Sequence, residues 1–153
     1  MGKRVRVDDV PTVEAPGQSG DQVSVRLRVP AELDSLGEVR ETVRDVLERT
    51  DWDEERPAEV LLAVTEAVGN AIEHGSLPGK PVHVEITVTD GGASVRVTDE
   101  GRPGARLPSG DPVPPPAEST RGRGRVIMRA LADRFEVTPA GAGTAVRLEF
   151  SSG

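Results

Sequence analysis

VLLAVTEAVGNAIEHG, residues 60–75, decides how this chain folds. Val60, Leu61, Val64, Ala67, Val68, Ala71 and Ile72 recur at the three-and-four spacing of an amphipathic helix. At about 100° per residue they share one face. Glu66, Asn70 and His74 follow one another four apart, each displaced by about 40°, along a second stripe pointing away from the first. A solvent-facing flank usually carries Lys and Glu without order. This one offers a carboxylate, an amide oxygen and an imidazole in a row. Such a row suits a hard cation and a proton acceptor beside a bound anion, because Mg²⁺ prefers oxygen ligands and shares them with phosphates. Alone, the row is equally a solvated flank with an inconsequential Asn. The rest of the chain has to decide.

The 153 residues fit one domain large enough to bury a core. Only 2% are aromatic, so that core must be aliphatic. The absence of Cys excludes disulfides and thiolate zinc sites, and it points to a reducing, cytoplasmic setting. The N-terminus has no signal-peptide run, and no stretch approaches the roughly 18 apolar residues of a membrane span. A soluble protein is expected. The net charge of −7 argues against nucleic acid as a partner and favours a basic protein or an anion carried by a cation.

Working outward from the central helix, residues 1–21 mix charges with Pro and Gly and read as a disordered tail. Residues 22–153 form the folded domain. Val23, Val25, Leu27 and Val29 alternate with polar residues as a half-buried strand ended by Pro30. A helix over 32–49 turns Leu33, Leu36, Val39, Val43, Val46 and Leu47 inward. Asp53 is a candidate N-cap for the central helix, Pro57 falls in its first turn, and Gly75 stops it. Residues 82–89 and 94–99 alternate about Asp90-Gly91-Gly92 as a hairpin, with Val95 and Val97 inward. Residues 100–121 hold six prolines and several glycines and read as a lid. A helix over 122–133 follows, with Val126, Ile127, Ala130 and Leu131 as its apolar residues, then strands over 135–138 and 144–150. This layout predicts an α+β fold: a two-layer sandwich of a mixed, mostly antiparallel sheet with helices on one face.

Two further motifs join the helical stripe. Asp99-Glu100-Gly101 ends a strand, where a carboxylate can face a pocket and a Gly lets a ligand approach the backbone. Gly122-Arg123-Gly124 opens a helix, where free N–H groups and the dipole favour phosphate. Singly each is common. In this order, with a Pro/Gly lid between the last two, they form a combination.

That combination resembles the ATP-binding domain of the GHKL superfamily, which includes histidine kinases and gyrase, over about residues 23–150. Within it the chain is most similar to bacterial anti-sigma factor serine/threonine kinases. Glu66 to His74 matches that family's N-box, Asp99 to Gly101 its first glycine box, Gly122 to Gly124 its second, and Gly143-Thr144 its closing pair. The resemblance implies ATP and Mg²⁺ as cofactors, with Asn70 coordinating the metal and Glu66 as the base toward a serine hydroxyl. It implies that Asp99 accepts from the adenine amine and that Gly101 lets the base lie close. Gly122, Arg123 and Gly124 would close over the phosphates, and Thr144 would bond near the adenine. A carboxylate can only accept and the adenine amine can donate, so the Asp99 role is chemically consistent. Two positions depart from the pattern: Pro103 stands where a second Gly is usual, and Arg125 where a Leu commonly follows the second box.

The family further implies a sigma factor and an anti-sigma factor antagonist as protein partners, and often a homodimer. Neither His74 nor His83 lies outside the nucleotide domain, which argues against an autophosphorylating histidine kinase. His74 is expected to cap or pack. Three functions follow: a serine kinase that sequesters a sigma factor, a nucleotide-sensing module without phosphoryl transfer, or an interaction domain without nucleotide.

Overall fold

The computed structural model describes residues 6–7, 12–13, 22–50, 52, 55–101 and 121–152, with the backbone alone at 6–7, 12–13 and 121–123. Seven strands form one sheet: Arg6–Val7 (β1), Thr12–Val13 (β2), Val23–Pro30 (β3), Pro81–Thr89 (β4), Gly92–Asp99 (β5), Arg134–Ala140 (β6) and Gly143–Ser151 (β7). Their order is β1-β3-β4-β5-β7-β6, with β2 also on β3. Every ladder is antiparallel. Among the described residues the one parallel contact outside the strands is the isolated bridge between Ser76 and Gly101. β1 and β2 fall within the segment expected as a tail and run along the β3 edge. The expected lid at 100–121 and the candidate cap Asp53 lie largely outside the described residues.

Register converts the period-two pattern into apolar rows. Val25, Ile86, Val95 and Leu148 stand side by side across β3, β4, β5 and β7. Leu27, Val84, Val97, Val146 and Val137 form the next row. A third row runs Val29, Val82, Asp99. Because Val95, Val97 and Asp99 alternate along β5, Asp99 carries a carboxylate on the face that elsewhere holds buried valines.

Three helices cover that face: Leu33–Leu47 (α1), Glu55–Asn70 (α2) and Arg121–Leu131 (α3). Val39 and Val43 of α1, and Val60, Val64 and Val68 of α2, bury completely against the sheet rows. One residue expected to face inward does not. Leu33, the first helical residue of α1, is 62% exposed. In α3 the buried residues are Gly124 and Met128, while the apolar Val126 is 63% exposed. Among the described residues no helix is long and apolar enough to cross a membrane.

The central helix changes geometry after Asn70. Ala71–Gly75 is a π-helical turn, and the Ser76 N–H donates to the Ala71 carbonyl five residues back, at 3.0 Å. Such turns are rare and cluster at functional sites. Ser76 is fully buried; its Oγ donates to the Pro81 carbonyl and accepts from the Glu100 N–H, each at 3.0 Å. The end of the helix is thereby pinned to the end of β5.

Candidate functional site

A cleft of about 470 Å³ opens between α2, α3 and the β5-β7-β6 end of the sheet. Its walls include Ala67, Ala71 and Met128 from the helices and Val97, Val146, Val137 and Phe135 from the sheet rows. Polar groups stand at its margins: Asn70, His74, Asp99, Arg125 and Thr144. An apolar slot with a few convergent polar groups, in the range of roughly 300–1,000 Å³, is the usual form of a small-molecule site.

Asp99 is fixed by backbone on several sides. Its Oδ1 accepts from the Gly101 N–H at 2.9 Å and the Thr144 N–H at 3.1 Å. A Cβ on Gly75 would overlap the Asp99 carboxylate, and one on Gly143 would overlap the Asp99 backbone carbonyl. Gly101 has φ +85°, and a Cβ there would meet the Ala142 carbonyl. Glycine at these positions lets β5, β7 and the π-helical turn close around one carboxylate.

At the other end, α3 lies against α2. A Cβ on Gly124 would stand 3.0 Å from Glu66 Oε1 and 3.1 Å from Asn70 Nδ2, so this buried Gly is what allows the first turn of α3 to approach those side chains. The structure therefore brings Asn70, Asp99, Gly101 and Thr144 into one cleft, with Glu66 and Gly124 adjoining Asn70. Gly122 and Arg123 belong to the first turn of α3; their side-chain surroundings lie outside the described residues. His74, expected to cap or pack, stands at the cleft with its Nε2 3.7 Å from Glu73 Oε1.

A family model described as "Histidine kinase-like ATPase domain" matches residues 29–150, a span that holds both ends of this cleft. The chain belongs to the histidine kinase-like ATPase family. Among solved structures, this ATPase domain is similar to the crystal structure of the RsbU and RsbW domains of Rv1364c from Mycobacterium tuberculosis, with a TM-score of 0.62 and 22% identity over 83% of this chain. The match covers 31% of that chain, so the domain spans about a third of the mycobacterial protein's crystallised length. At this identity the likeness concerns the fold. A histidine kinase domain from Erythrobacter litoralis EL346 blue-light activated histidine kinase also matches, with a TM-score of 0.45, 20% identity and coverage of 90% and 66% of the two chains. No curated protein matches.

The donor set suits what such an ATPase domain binds. A purine has apolar faces and a polar edge, and the cleft pairs apolar walls with a carboxylate that can only accept. Among the described residues there is no cluster of three or more His, Cys, Asp or Glu able to hold a metal. A hard cation here fits the mode in which Mg²⁺ takes one or two protein oxygens, such as the Asn70 amide, and the rest from phosphates and water.

Some lining residues had only faint signals in the sequence. Gly75 looked like a helix stop, whereas its missing side chain is space taken by Asp99. Phe135 and Val137 alternate on β6 and could have been paired with the site had the register been known. The π-helical turn has no sequence mark.

Proposed function

We propose that this domain binds Mg²⁺-ATP in the cleft and is a protein serine kinase acting on an anti-sigma factor antagonist, with a sigma factor as the partner it sequesters. The observation that carries the reading is that Asp99 and Asn70 line a single cleft, with Gly124 against both Asn70 and the neighbouring Glu66. In this reading Asp99 accepts from the adenine amine, Gly101 lets the ring lie close, and Thr144 supports that end. Asn70 supplies an amide oxygen to the metal. The N–H groups of Gly122, Arg123 and Gly124 face the phosphates.

When bound, ATP supplies the phosphoryl group, and transfer depends chiefly on positioning and charge neutralisation. The role left for this chain is to hold the incoming hydroxyl and receive its proton. Glu66 is the carboxylate beside Asn70 and Gly124 and takes that role at its Oε atoms. Partner identity rests on the resemblance to anti-sigma factor kinases, which leaves its test to experiment.

Glu66→Ala should lower phosphoserine formation by roughly 10²–10⁴-fold while leaving ATP affinity largely intact. The assay is incubation with γ-labelled ATP and the antagonist encoded by the same organism. Phosphoserine that does not depend on Glu66, or none at all, would overturn the kinase reading. Arg125, standing where a Leu is common, favours a second reading: a nucleotide-sensing module without transfer. There, partner capture would respond to ATP against ADP and be indifferent to Glu66→Ala.

A further inference from the structure

Arg125 is a partly buried cation at the cleft. It follows Gly124, which backs onto Glu66 and Asn70, and precedes by three the buried Met128, another cleft residue. Its backbone therefore lies beside the Glu66 end of the site. Asp99 and Gly75 mark the opposite end, Gly75 being nine residues on from Glu66 and at the close of the π-helical turn.

No carboxylate among the described residues pairs with Arg125. Burial, and then the charge of Arg129 one helical turn on, hold its guanidinium below the usual arginine range. Arg129 itself stacks over the Phe135 ring at 5.3 Å. Both influences disfavour the cation, so nothing described in the protein compensates its removal from water. A planar guanidinium is suited to phosphate, which it can engage with two parallel N–H bonds. In a chain of net charge −7, a cation kept in a cleft without an acidic partner among the described residues calls for an anion from outside.

We propose that Arg125 is a specificity-determining residue that engages the polyphosphate of the bound nucleotide and makes the cleft prefer ATP to adenosine. This rests on the nucleotide reading above. It adds a side-chain contact to the backbone N–H groups already assigned to the phosphates.

The test is calorimetric titration of the full chain and its Arg125→Leu and Arg125→Lys variants with Mg²⁺-ATP, adenosine and inorganic tripolyphosphate, alongside melts of the ligand-free proteins. Arg125→Leu should weaken ATP and tripolyphosphate by at least about tenfold, leave adenosine unchanged and raise the ligand-free melting temperature. Arg125→Lys should recover part of the ATP affinity. Unchanged ATP affinity in Arg125→Leu, or equal losses for ATP and adenosine, would overturn the proposal while the nucleotide reading stands. Wild-type protein that binds tripolyphosphate through Arg125 but neither ATP nor adenosine would overturn the nucleotide reading and leave the phosphate contact. Wild-type protein that binds none of the three would overturn both.

Discussion

Asp99 depends on what its neighbours lack. The Gly101 and Thr144 N–H groups hold Oδ1, and Gly75 leaves the space that the carboxylate fills. Gly75→Ala should therefore displace the carboxylate from both N–H bonds. The expected loss of ATP affinity is roughly 1–3 kcal/mol, the worth of a charge-assisted bond, with far-UV circular dichroism unchanged. Wild-type affinity in Gly75→Ala would show that the carboxylate position does not matter for binding. The inward alternation of Val95 and Val97 was visible in the sequence, and the register of β5 carries it on to Asp99. That Gly75 serves Asp99, 24 positions on, required the fold.

At the scale of elements, Arg56 joins pieces far apart in the chain. From the first turn of α2 its Nε donates to the Ser151 carbonyl at 2.8 Å and its Nη1 to the Leu131 carbonyl at 3.0 Å. Nη1 also meets Glu59 at 2.7 Å, Nη2 reaches Asp133 at 2.9 Å, and the guanidinium lies 5.4 Å from the Phe150 ring centre. These contacts tie α2 to the ends of α3 and β7. Asp133 lies beyond α3, and its carboxyl is held below the usual carboxylate range, first by the Ser151 N–H and also by Arg56. A lowered folded value means stability present above the ordinary carboxylate pKa and lost as pH falls through the folded one. Arg56→Ala should cost about 1–2 kcal/mol in urea melts at pH 7, its exposed carboxylate partners adding little beyond the carbonyl bonds. The difference from wild type should narrow below about pH 4. An equal difference at pH 7 and pH 3 would show that Asp133 adds nothing to the clasp.

The elements themselves were legible because their periods are distinct. Val23 to Val29 and the hairpin strands alternate, and Val60 to Val68 recur at helical spacing, so burial followed the pattern in both. Leu33 and Met128 escaped it because a helix end and a short helix give periodicity too few residues to fix a face. The π-helical turn escaped because it depends on where Ser76 is pinned by Pro81 and Glu100, contacts that no local pattern encodes.

For the whole molecule, the central matter is convergence. The carboxylate of the third strand row, Asn70 of the helical stripe and Arg125 of α3 come from three separated segments and line one cleft, with Glu66 and Gly124 beside Asn70. The motifs named the participants; only tertiary structure could establish that they adjoin. The most direct measurement is calorimetric titration of wild-type and Asp99→Asn protein with Mg²⁺-ATP. Wild type should bind one equivalent, and Asp99→Asn should bind more weakly by roughly 1–3 kcal/mol, because an amide replaces the carboxylate that accepts from the base. No heat from the wild type, or identical affinities in the two proteins, would contradict an adenine held at Asp99.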